Sequence, residues 1–363
     1  MISTTIFPGR YTQGYDALNS LGEELKRFGQ KGFVICDPFV YECLFPTLQK
    51  SLESAIAFQV EKFNGECADE EIERLAAKAR EAGCDVIVGI GGGKTLDTAK
   101  ATAYTLKVPV AIVPTIASTD APCSAVAVIY TLEGAFKRYL ILPKNPDMVV
   151  VDTKVIANAP VRFLVSGMGD ALATWFEADS CQHQYAGNMT GNLGSMTACA
   201  LARLCYDTLL NYGVLAKTAC EKGLVVPALE RVVEANTLLS GLGFESGGLG
   251  AAHAIHNGLT ALEATHHYYH GEKVAIGTLA SLFLTDKSSE MIDEVYSFCE
   301  ADGLPTTLAE IGLGEVSDED LMKAATAACA PGETIHNEPI PVSPLTVFNA
   351  LKAADAEGRS RKG

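Results

Sequence analysis

The segment Val86–Lys100, VIVGIGGGKTLDTAK, decides the fold of this 363-residue chain. Its apolar run over Val86–Ile90 predicts a strand buried on both faces, because strands inside a parallel sheet need not alternate apolar and polar residues. Gly91–Gly93 follow, and a helical pattern then extends from about Leu96 to Leu106. A strand, a glycine-rich turn and a helix in this order are typical of a parallel sheet that binds a ligand beyond the carboxyl ends of its strands.

The same alternation of strands and helices extends over the first 160 residues. Glu70–Ala82 has apolar residues at helical spacing and is followed by Gly83, a residue that commonly ends helices. Short apolar runs predict further strands at Phe33–Cys36, Ala55–Phe58, Val108–Val113, Ala125–Tyr130 and Met148–Asp152. We therefore predict an α/β domain with a doubly wound, Rossmann-like parallel sheet.

The character of the sequence changes near residue 160. From Arg162 to the end, runs of β-branched residues are few, and long stretches rich in Ala, Leu and Met indicate helices. A chain of this length is expected to form about two domains. We predict an α/β domain over residues 1–160 and an all-α domain over residues 161–363, with the active site in the cleft between them.

Composition excludes several classes of function. The chain has 28 Lys and Arg against 44 Asp and Glu, a net charge of −16, which disfavours binding to nucleic acids and to anionic membrane surfaces. No apolar run approaches the ~20 residues of a spanning helix, and the N-terminal segment lacks the pattern of a signal peptide. The 11 cysteines are scattered and form no CxxC pair, so we expect reduced thiols in a cytoplasmic protein.

The glycine loop fits neither of the two standard nucleotide motifs. GxGxxG would need glycine where the chain has Lys94, and GxxxxGKT would need glycine in place of Val88. Backbone amides at a helix start nevertheless favour an anion, and glycines allow a pyrophosphate to approach closely. Asp37, at the end of an earlier strand, suits a hydrogen bond to a ribose 2′-hydroxyl and repels a 2′-phosphate. This pattern predicts NAD rather than NADP.

A second polar segment follows the predicted strand Val108–Val113. It carries Thr115, Ser118, Asp120 and Ser124 at the mouth of the predicted sheet. Hydroxyl groups at this position can hold a cofactor, and the carboxylate can hold a polyol or relay a proton. The same residue types also form ordinary turns, so this segment alone is weak evidence.

The helical half contains a cluster of metal-binding residue types. Five of the seven histidines lie within residues 253–270, and Asp170 is predicted at the start of an apolar helix. His253 and His256 share one helical face, and His270 begins a further predicted helix. One carboxylate and two imidazoles form a three-ligand site that leaves a position open, as catalytic zinc sites do. Taken singly, each residue also has a structural interpretation, such as a helix N-cap for Asp170.

Five motifs occur in order across nearly the whole chain: GGGKTLDTAK, PTIASTDAP, SGMGDALATWFEA, GGLGAAHAIHNG and HGEKVAIG. Together they resemble the glycerol dehydrogenases of the iron-containing (group III) alcohol dehydrogenase superfamily. The resemblance implies a divalent metal ion, zinc in the glycerol dehydrogenases, held by Asp170, His253 and His270. It also implies substrate contacts from Asp120 and His253, and places His256 beside the metal or facing the substrate. The catalytic residues it implies are Asp120, Asp170, His253 and His270.

The resemblance also implies NAD as the cofactor of residues 1–160 and metal binding by residues 161–363. The matching NAD positions are Asp37, Gly91, Gly92, Gly93, Lys94, Thr95, Thr115, Ser118, Ser124, Val126 and Tyr130. Cys123 departs from the family pattern, in which threonine is frequent, and this puts the affinity for the cofactor in doubt. Rings of eight subunits are common in the group, which implies a homo-oligomer.

The reaction implied is the oxidation of glycerol, or of a related vicinal diol, to dihydroxyacetone by metal-assisted hydride transfer to NAD. Other divalent ions than zinc also suit one Asp and two His ligands. Alternatives are another metal-dependent alcohol or polyol dehydrogenase, a glycerol-1-phosphate dehydrogenase, a lyase similar to dehydroquinate synthase, and a non-catalytic NAD-binding protein. Anionic substrates call for several cations near the site, and the motifs contain only Lys273 close by, which favours a neutral polyol.

Overall fold

The computed structural model describes residues 1–363 and divides the chain into two compact units. The α/β unit consists of Ile6–Pro160 and Ala219–Leu238. The helical unit consists of Met1–Thr5, Val161–Thr218 and Leu239–Gly363. No helix combines the length and apolar composition that crossing a membrane requires.

The strands of the α/β unit are β1 (Tyr11–Gly14), β2 (Lys31–Cys36), β3 (Ala57–Lys62), β4 (Val86–Gly91), β5 (Val110–Pro114), β6 (Val126–Tyr130), β7 (Phe136–Ile141) and β8 (Met148–Asp152). Six of them form a sheet in which every pairing is parallel, in the order β1-β8-β5-β4-β2-β3. Its helices are α1 (Leu21–Leu25), α2 (Pro38–Cys43), α3 (Phe45–Glu53), α4 (Asp69–Ala82), α5 (Gly93–Leu106), α6 (Thr153–Ala157) and α9 (Pro227–Glu234). The strand order reverses between β2 and β4, and parallel sheets bind ligands at such a switch point.

The remaining helices are α7 (Val161–Gln184), α8 (Met196–Cys220), α10 (Ser240–Gly247), α11 (Ala251–Leu259), α12 (His270–Leu284), α13 (Ser289–Asp302), α14 (Asp318–Ala328) and α15 (Pro344–Arg361). The chain between α9 and α10, Ala235–Leu239, is a π-helical turn. The predicted α/β class and the helical character of the second half are thus confirmed. β1, whose sequence YTQG has no apolar run, was not predicted.

The predicted strand Ala125–Tyr130 lies outside the parallel sheet. As β6 it pairs antiparallel with β7 in a separate two-stranded sheet. The physical reason is the length of the connection, Thr131–Ala135, since a parallel crossover needs a dozen or more residues and a hairpin needs only a few.

The domain boundaries also differ from those drawn from the sequence. Ala219–Leu238, predicted in the helical domain, belongs to the α/β unit, and Met1–Thr5 belongs to the helical unit. The first segment contains α9, whose apolar face is buried. Gln13 donates to the backbone carbonyl of Glu230 at 2.8 Å, and Thr153 donates to the Glu230 carboxylate at 2.7 Å. These contacts join residues far apart in sequence, so no local pattern reveals them.

Two glycines bring the backbones of α7 and α12 into contact. A Cβ atom on Gly271 would lie 1.7 Å from the carbonyl oxygen of Ser166 and 2.9 Å from the amide nitrogen of Asp170. A Cβ atom on Gly169 would lie 2.4 Å from the carbonyl oxygen of Gly271. Because neither glycine has a side chain, His270 at the start of α12 can lie beside Asp170 of α7.

Candidate functional site

Three helices of the helical unit bring one carboxylate and two imidazoles together. The candidate ligand atoms of Asp170, His253 and His270 all lie within 4.8 Å of one another. Asp170 Oδ1 is 3.3 Å from His253 Nε2 and 3.0 Å from His270 Nε2. This donor set, of one carboxylate oxygen and two imidazole nitrogens, suits zinc and other divalent ions. We refer to these three residues as the Asp–His–His cluster.

Asp170 does not begin its helix, contrary to the sequence-based prediction. Helix α7 begins at Val161, so Asp170 lies inside it and is not an N-cap. Glycines upstream of Asp170 favour a helix start locally. Here, however, Gly169 remains helical because its missing side chain permits the contact with α12. Tertiary packing therefore overrides the local helix propensity.

The electrostatics of the cluster favour a bound cation. Burial raises the pKa of Asp170, but the charges and hydrogen bonds of His270 and His253 outweigh it, so the net shift is downward. Burial lowers the pKa of His253, but Glu177 and Asp170 outweigh it, so the net shift is upward. An ionised, fully buried carboxylate beside imidazoles requires positive charge, which either protons or a divalent ion can supply.

His256 lies next to the cluster without belonging to it. Its ring centroid is 4.2 Å from that of His270, and its Nδ1 is 3.1 Å from Asn257 Oδ1. Burial lowers the pKa of His256, and the nearby His270 and Lys273 lower it further. A neutral imidazole at this position can exchange hydrogen bonds with a substrate. Its predicted contact with the substrate stays a prediction.

Glu177 is a residue of this site that sequence reasoning missed. Its carboxylate accepts a hydrogen bond from the backbone amide of His253 at 2.9 Å and lies 2.7 Å from His253 Nδ1. The residue is part of the motif SGMGDALATWFEA and lies seven positions after Asp170, which places both on one face of a helix. That spacing was the feature of the sequence that could have indicated a role for Glu177 beside Asp170.

Asp37 and the glycine loop, two of the predicted cofactor-binding features, meet at the switch point. Asp37 follows β2, the glycine loop follows β4, and the backbone amide of Asp37 donates to the carbonyl of Ile90 at 3.0 Å. Gly91 has φ +155°, and a Cβ atom there would lie 2.9 Å from Thr95 and 3.0 Å from the Cβ of Asp37. Glycine is therefore required where the two strand ends meet.

Asp37 also has a structural role. As the N-cap of α2, its Oδ1 accepts hydrogen bonds from the amides of Phe39 at 2.9 Å and Val40 at 3.2 Å. The carboxylate of Asp37 therefore stabilises the helix that follows it. A single carboxylate has further lone pairs, so capping and ribose recognition are compatible.

The start of α5 lies earlier than predicted, at Gly93 rather than near Leu96. The first turn of this 14-residue helix therefore contains Gly93, Lys94 and Thr95, and Gly92 provides no capping side chain. Amides in a first turn have no partner within the helix and are available to an anion. Lys94 Nζ lies 2.6 Å from Glu66 and 4.9 Å from the ring centroid of Tyr130, which brings two predicted NAD positions together.

The polar segment after β5 is anchored by a buried lysine that sequence reasoning also missed. Lys100 is 1% exposed, pairs with Asp97 at 2.8 Å, and donates to the carbonyls of Ala121 at 3.0 Å and of Val126. Asp97 in turn accepts from the amide of Val128 at 2.9 Å. Both residues belong to the motif GGGKTLDTAK, in which the glycines alone suggested phosphate binding.

The other predicted residues lie along this segment or on β6. The backbone amide of Thr115 donates a hydrogen bond to the carbonyl of Gly91 at 3.0 Å. Asp120, Cys123 and Ser124 are buried, and the carbonyl of Cys123 accepts from Asn145 at 2.9 Å. The remaining predicted positions are Ser118 in the loop and Val126 and Tyr130 at the two ends of β6. Asp120 belongs to the α/β unit, whereas the Asp–His–His cluster belongs to the helical unit.

Comparison with known proteins identifies the class of this chain. The model of the family "iron-containing alcohol dehydrogenase" matches residues 8–153. A glycerol dehydrogenase from Thermotoga maritima is 69% identical over 362 residues, which cover 100% of this chain and 99% of the relative. A glycerol dehydrogenase from Escherichia coli is 55% identical, with 97% of this chain and 96% of the relative covered.

The solved structures agree with these sequence matches. The crystal structure of glycerol dehydrogenase from Schizosaccharomyces pombe has a TM-score of 0.95 and 40% identity. The match covers 99% of this chain and 92% of that chain. The chain is therefore an oxidoreductase enzyme and belongs to the iron-containing alcohol dehydrogenase family, as its motifs predict.

Proposed function

We propose that the protein oxidises glycerol, and related vicinal diols, with NAD as the hydride acceptor and a divalent metal ion, zinc, at the Asp–His–His cluster. The single observation that carries this proposal is the convergence of the three ligand atoms within 4.8 Å, in a chain 69% identical to a glycerol dehydrogenase. The helical unit supplies the metal ligands, and the α/β unit supplies the cofactor site. The interdomain active site stays a prediction.

The chemistry divides between the bound groups and the side chains. A divalent ion, when bound, would supply the positive charge that makes a substrate hydroxyl more acidic. Asp170, His253 and His270 would hold that ion, and the carboxylate of Asp120 would orient a hydroxyl of the polyol. Oxidation of glycerol removes a hydride from the carbinol carbon and a proton from its hydroxyl. The hydride would go to bound NAD⁺, giving NADH, and the proton would go to solvent, so that the product would be dihydroxyacetone.

The charges near the cluster support a neutral substrate. Arg162 is paired with Glu272 through contacts of 2.6 and 2.9 Å, and Lys273 is buried. Burial lowers the pKa of Lys273, although Glu272 raises it. A phosphate ester or a polyanionic lyase substrate requires several available cations, so a polyol suits this site better than glycerol 1-phosphate does.

The cofactor preference rests on Asp37, whose charge repels the 2′-phosphate of NADP. The cytoplasm is the proposed location, because the 11 cysteines are scattered along the chain and form no CxxC pair. A homo-oligomer, an octamer by family resemblance, is supported by exposed apolar side chains on β7. Phe136 is 56% and Ile141 is 54% exposed in the single chain.

A substrate panel with metal analysis of the same sample tests the proposal. We expect NADH to form with glycerol and other vicinal diols, and not with glycerol 1-phosphate. Chelation should abolish the activity, and added zinc should restore it. Net NADH production also separates a dehydrogenase from a lyase that uses NAD transiently and from a non-catalytic NAD-binding protein. Full activity in metal-free protein would exclude the metal role.

A further inference from the structure

The imidazole of His253 lies between two carboxylates of the same helix. His253 Nε2 is 3.3 Å from Asp170 Oδ1, and His253 Nδ1 is 2.7 Å from Glu177 Oε2. Asp170 and Glu177 are seven residues apart on α7, which places them on one face about two turns apart. Helix α7 therefore contacts both nitrogens of one imidazole.

Both carboxylate oxygens of Glu177 are engaged by His253. Oε2 contacts the ring, and Oε1 accepts a hydrogen bond from the His253 backbone amide at 2.9 Å. Glu177 is 1% exposed, and burying an ionised carboxylate is costly unless it is hydrogen-bonded. Its two bonds fix the His253 side chain and the backbone from which that side chain projects.

We propose that Glu177 is a positioning residue that holds the proton of His253 on Nδ1 and directs the Nε2 lone pair at the metal. The inference rests on the proposed metal site. A carboxylate accepts but cannot donate a hydrogen bond, so its contact with Nδ1 selects the tautomer in which Nε2 is free to coordinate. Hydrogen bonds of this kind also make an imidazole a stronger ligand.

Glu338 provides a matched control within the chain. Its Oε1 accepts a hydrogen bond from the backbone amide of Ala251 at 2.7 Å, and its Oε2 accepts one from the hydroxyl of Ser180 at 2.6 Å. Glu338 is 4% exposed. Glu177 and Glu338 therefore both bind first-turn amides of α11, but only Glu177 contacts an imidazole.

The Gln variants of these two residues differ in the group that the new side-chain NH₂ faces. In Glu177→Gln, the carbonyl can keep the backbone bond, and the new NH₂ group then faces His253 Nδ1. An NH₂ group can only donate, which favours a proton on Nε2, the nitrogen that must be free. In Glu338→Gln, the NH₂ group faces the hydroxyl of Ser180, which can accept. Helix capping is thus perturbed similarly in both variants, whereas only one disturbs the ligand.

The test measures zinc affinity rather than activity. The wild type, Glu177→Gln and Glu338→Gln are stripped with a chelator, then titrated with Zn²⁺ at fixed pH against a chromophoric competitor, and their melting temperatures are recorded. We expect Glu177→Gln to raise the zinc Kd by about 10- to 100-fold. Glu338→Gln should raise it by less than about threefold, although both variants lower the melting temperature of the metal-free protein.

Each other outcome has a defined meaning. If the wild type binds no zinc, the proposed function itself fails. If the wild type binds zinc and Glu177→Gln binds it equally tightly, only the inference on Glu177 fails. Equal loss of affinity in both variants would assign Glu177 to helix capping. Should Glu177→Gln not fold, Glu177→Asp replaces it: the charge remains, but the shorter side chain cannot keep both bonds. A wild-type Kd in that variant overturns the inference.

Discussion

At the scale of single residues, two carboxylates of this protein combine an observed structural role with a proposed chemical one. Asp37 caps α2 and is proposed to bind the ribose, and Glu177 binds the backbone of His253 and is proposed to orient its ring. Such double roles complicate mutagenesis, because a truncation removes both functions at once. Variants that keep one role and remove the other are therefore more informative than alanine.

Asp37→Asn should relax the cofactor preference without destabilising the protein. Asn caps helices about as well as Asp, but it lacks the charge that repels a 2′-phosphate. Removing a repulsion of roughly 1–2 kcal/mol would raise kcat/KM for NADP by about 5- to 30-fold. Steady-state kinetics with both cofactors measure this change.

Asp37→Ala is the matched control, since it also removes the cap and should cost about 1 kcal/mol of stability. If Asp37→Asn uses NADP as poorly as the wild type, a different residue rejects the phosphate.

The carboxyl group of Asp302, at the end of α13, is buried where its ionised form is unfavourable. Neither of its carboxylate oxygens has a hydrogen-bond partner, and the residue is 1% exposed. A Cβ atom on Gly213 would lie 2.8 Å from Asp302 Oδ2, so the glycine leaves room for the carboxylate. Burial raises the pKa of Asp302 to about 6, although the charge of Lys217 opposes the shift.

Asp302→Asn should stabilise the protein in a pH-dependent manner. The folded pKa lies above the unfolded value of about 3.9, so ionisation destabilises the folded wild type. Below about pH 4 ionisation of Asp302 does not reduce the free energy of unfolding of the wild type. The reduction increases between about pH 4 and pH 6, and above that it amounts to about 3 kcal/mol. Denaturant unfolding of both proteins between pH 4 and 8 measures the difference, and a difference that does not vary with pH would contradict the assignment.

At the scale of elements, the site depends on how helix ends and strand ends are held. The start of α12 touches α7 through Gly169 and Gly271, and the segment after β5 is tied to α5 through Lys100. Gly169, Gly271 and Lys100 are not predicted ligands themselves. Gly271 contacts the backbone of Asp170 and Lys100 contacts that of Val126, so substitutions of these residues should change binding indirectly.

Gly271→Ala should displace the first turn of α12 and weaken zinc binding. Its Cβ would lie 1.7 Å from the carbonyl oxygen of Ser166, a backbone atom that cannot move independently of α7. We expect a loss of roughly 1–3 kcal/mol or more in stability, together with a higher zinc Kd. Gly32→Ala is the control, because its Cβ would meet nothing closer than 3.7 Å. Unchanged zinc affinity in Gly271→Ala would show that α12 is not positioned by this contact.

Lys100→Met should raise the KM for NAD more than it lowers kcat. The variant keeps the apolar stem but loses the donors to the carbonyls of Ala121 and Val126, and it leaves Asp97 buried without its cation. The double variant Asp97→Asn/Lys100→Met removes that uncompensated charge and should recover stability without recovering NAD affinity. Titration of NAD by quenching of protein fluorescence provides the readout. Recovery of both together would indicate a purely structural role for the pair.

At the scale of the whole molecule, metal binding should be linked to folding. The Asp–His–His cluster joins α7, α11 and α12, so an ion that binds only the folded chain stabilises it in proportion to its affinity. Zinc at 100 times its Kd should raise the free energy of unfolding by about 2.7 kcal/mol, which corresponds to a rise of several degrees in the melting temperature. Calorimetry of the stripped and zinc-loaded protein measures this difference. Asp170→Asn should reduce it strongly, and an equal shift in that variant would place the ion elsewhere.

Features that depend on local chemistry were predictable from the sequence. The apolar runs and the helical periodicity identified the α/β class and the helical second half, and the family motifs identified the residues of the Asp–His–His cluster. Periodicity and turn residues reflect interactions between near neighbours in the chain, so they can be recognised without a structure. The start of α7 was predicted wrongly, because its glycines resemble a helix boundary in the sequence. In the structure they lie inside the helix, where α12 packs against them.

Contacts between residues distant in sequence became visible only in the folded structure. Glu177 contacts His253, which lies 76 positions later in the chain. Helix α9, from the second half of the chain, belongs to the α/β unit. Strand β6 pairs with β7 rather than with a strand of the parallel sheet. The strength of each contact depends on burial and on a partner that no local pattern specifies. Candidate ligands were therefore predictable from residue type, whereas the residues that orient them became visible only once the helices had packed.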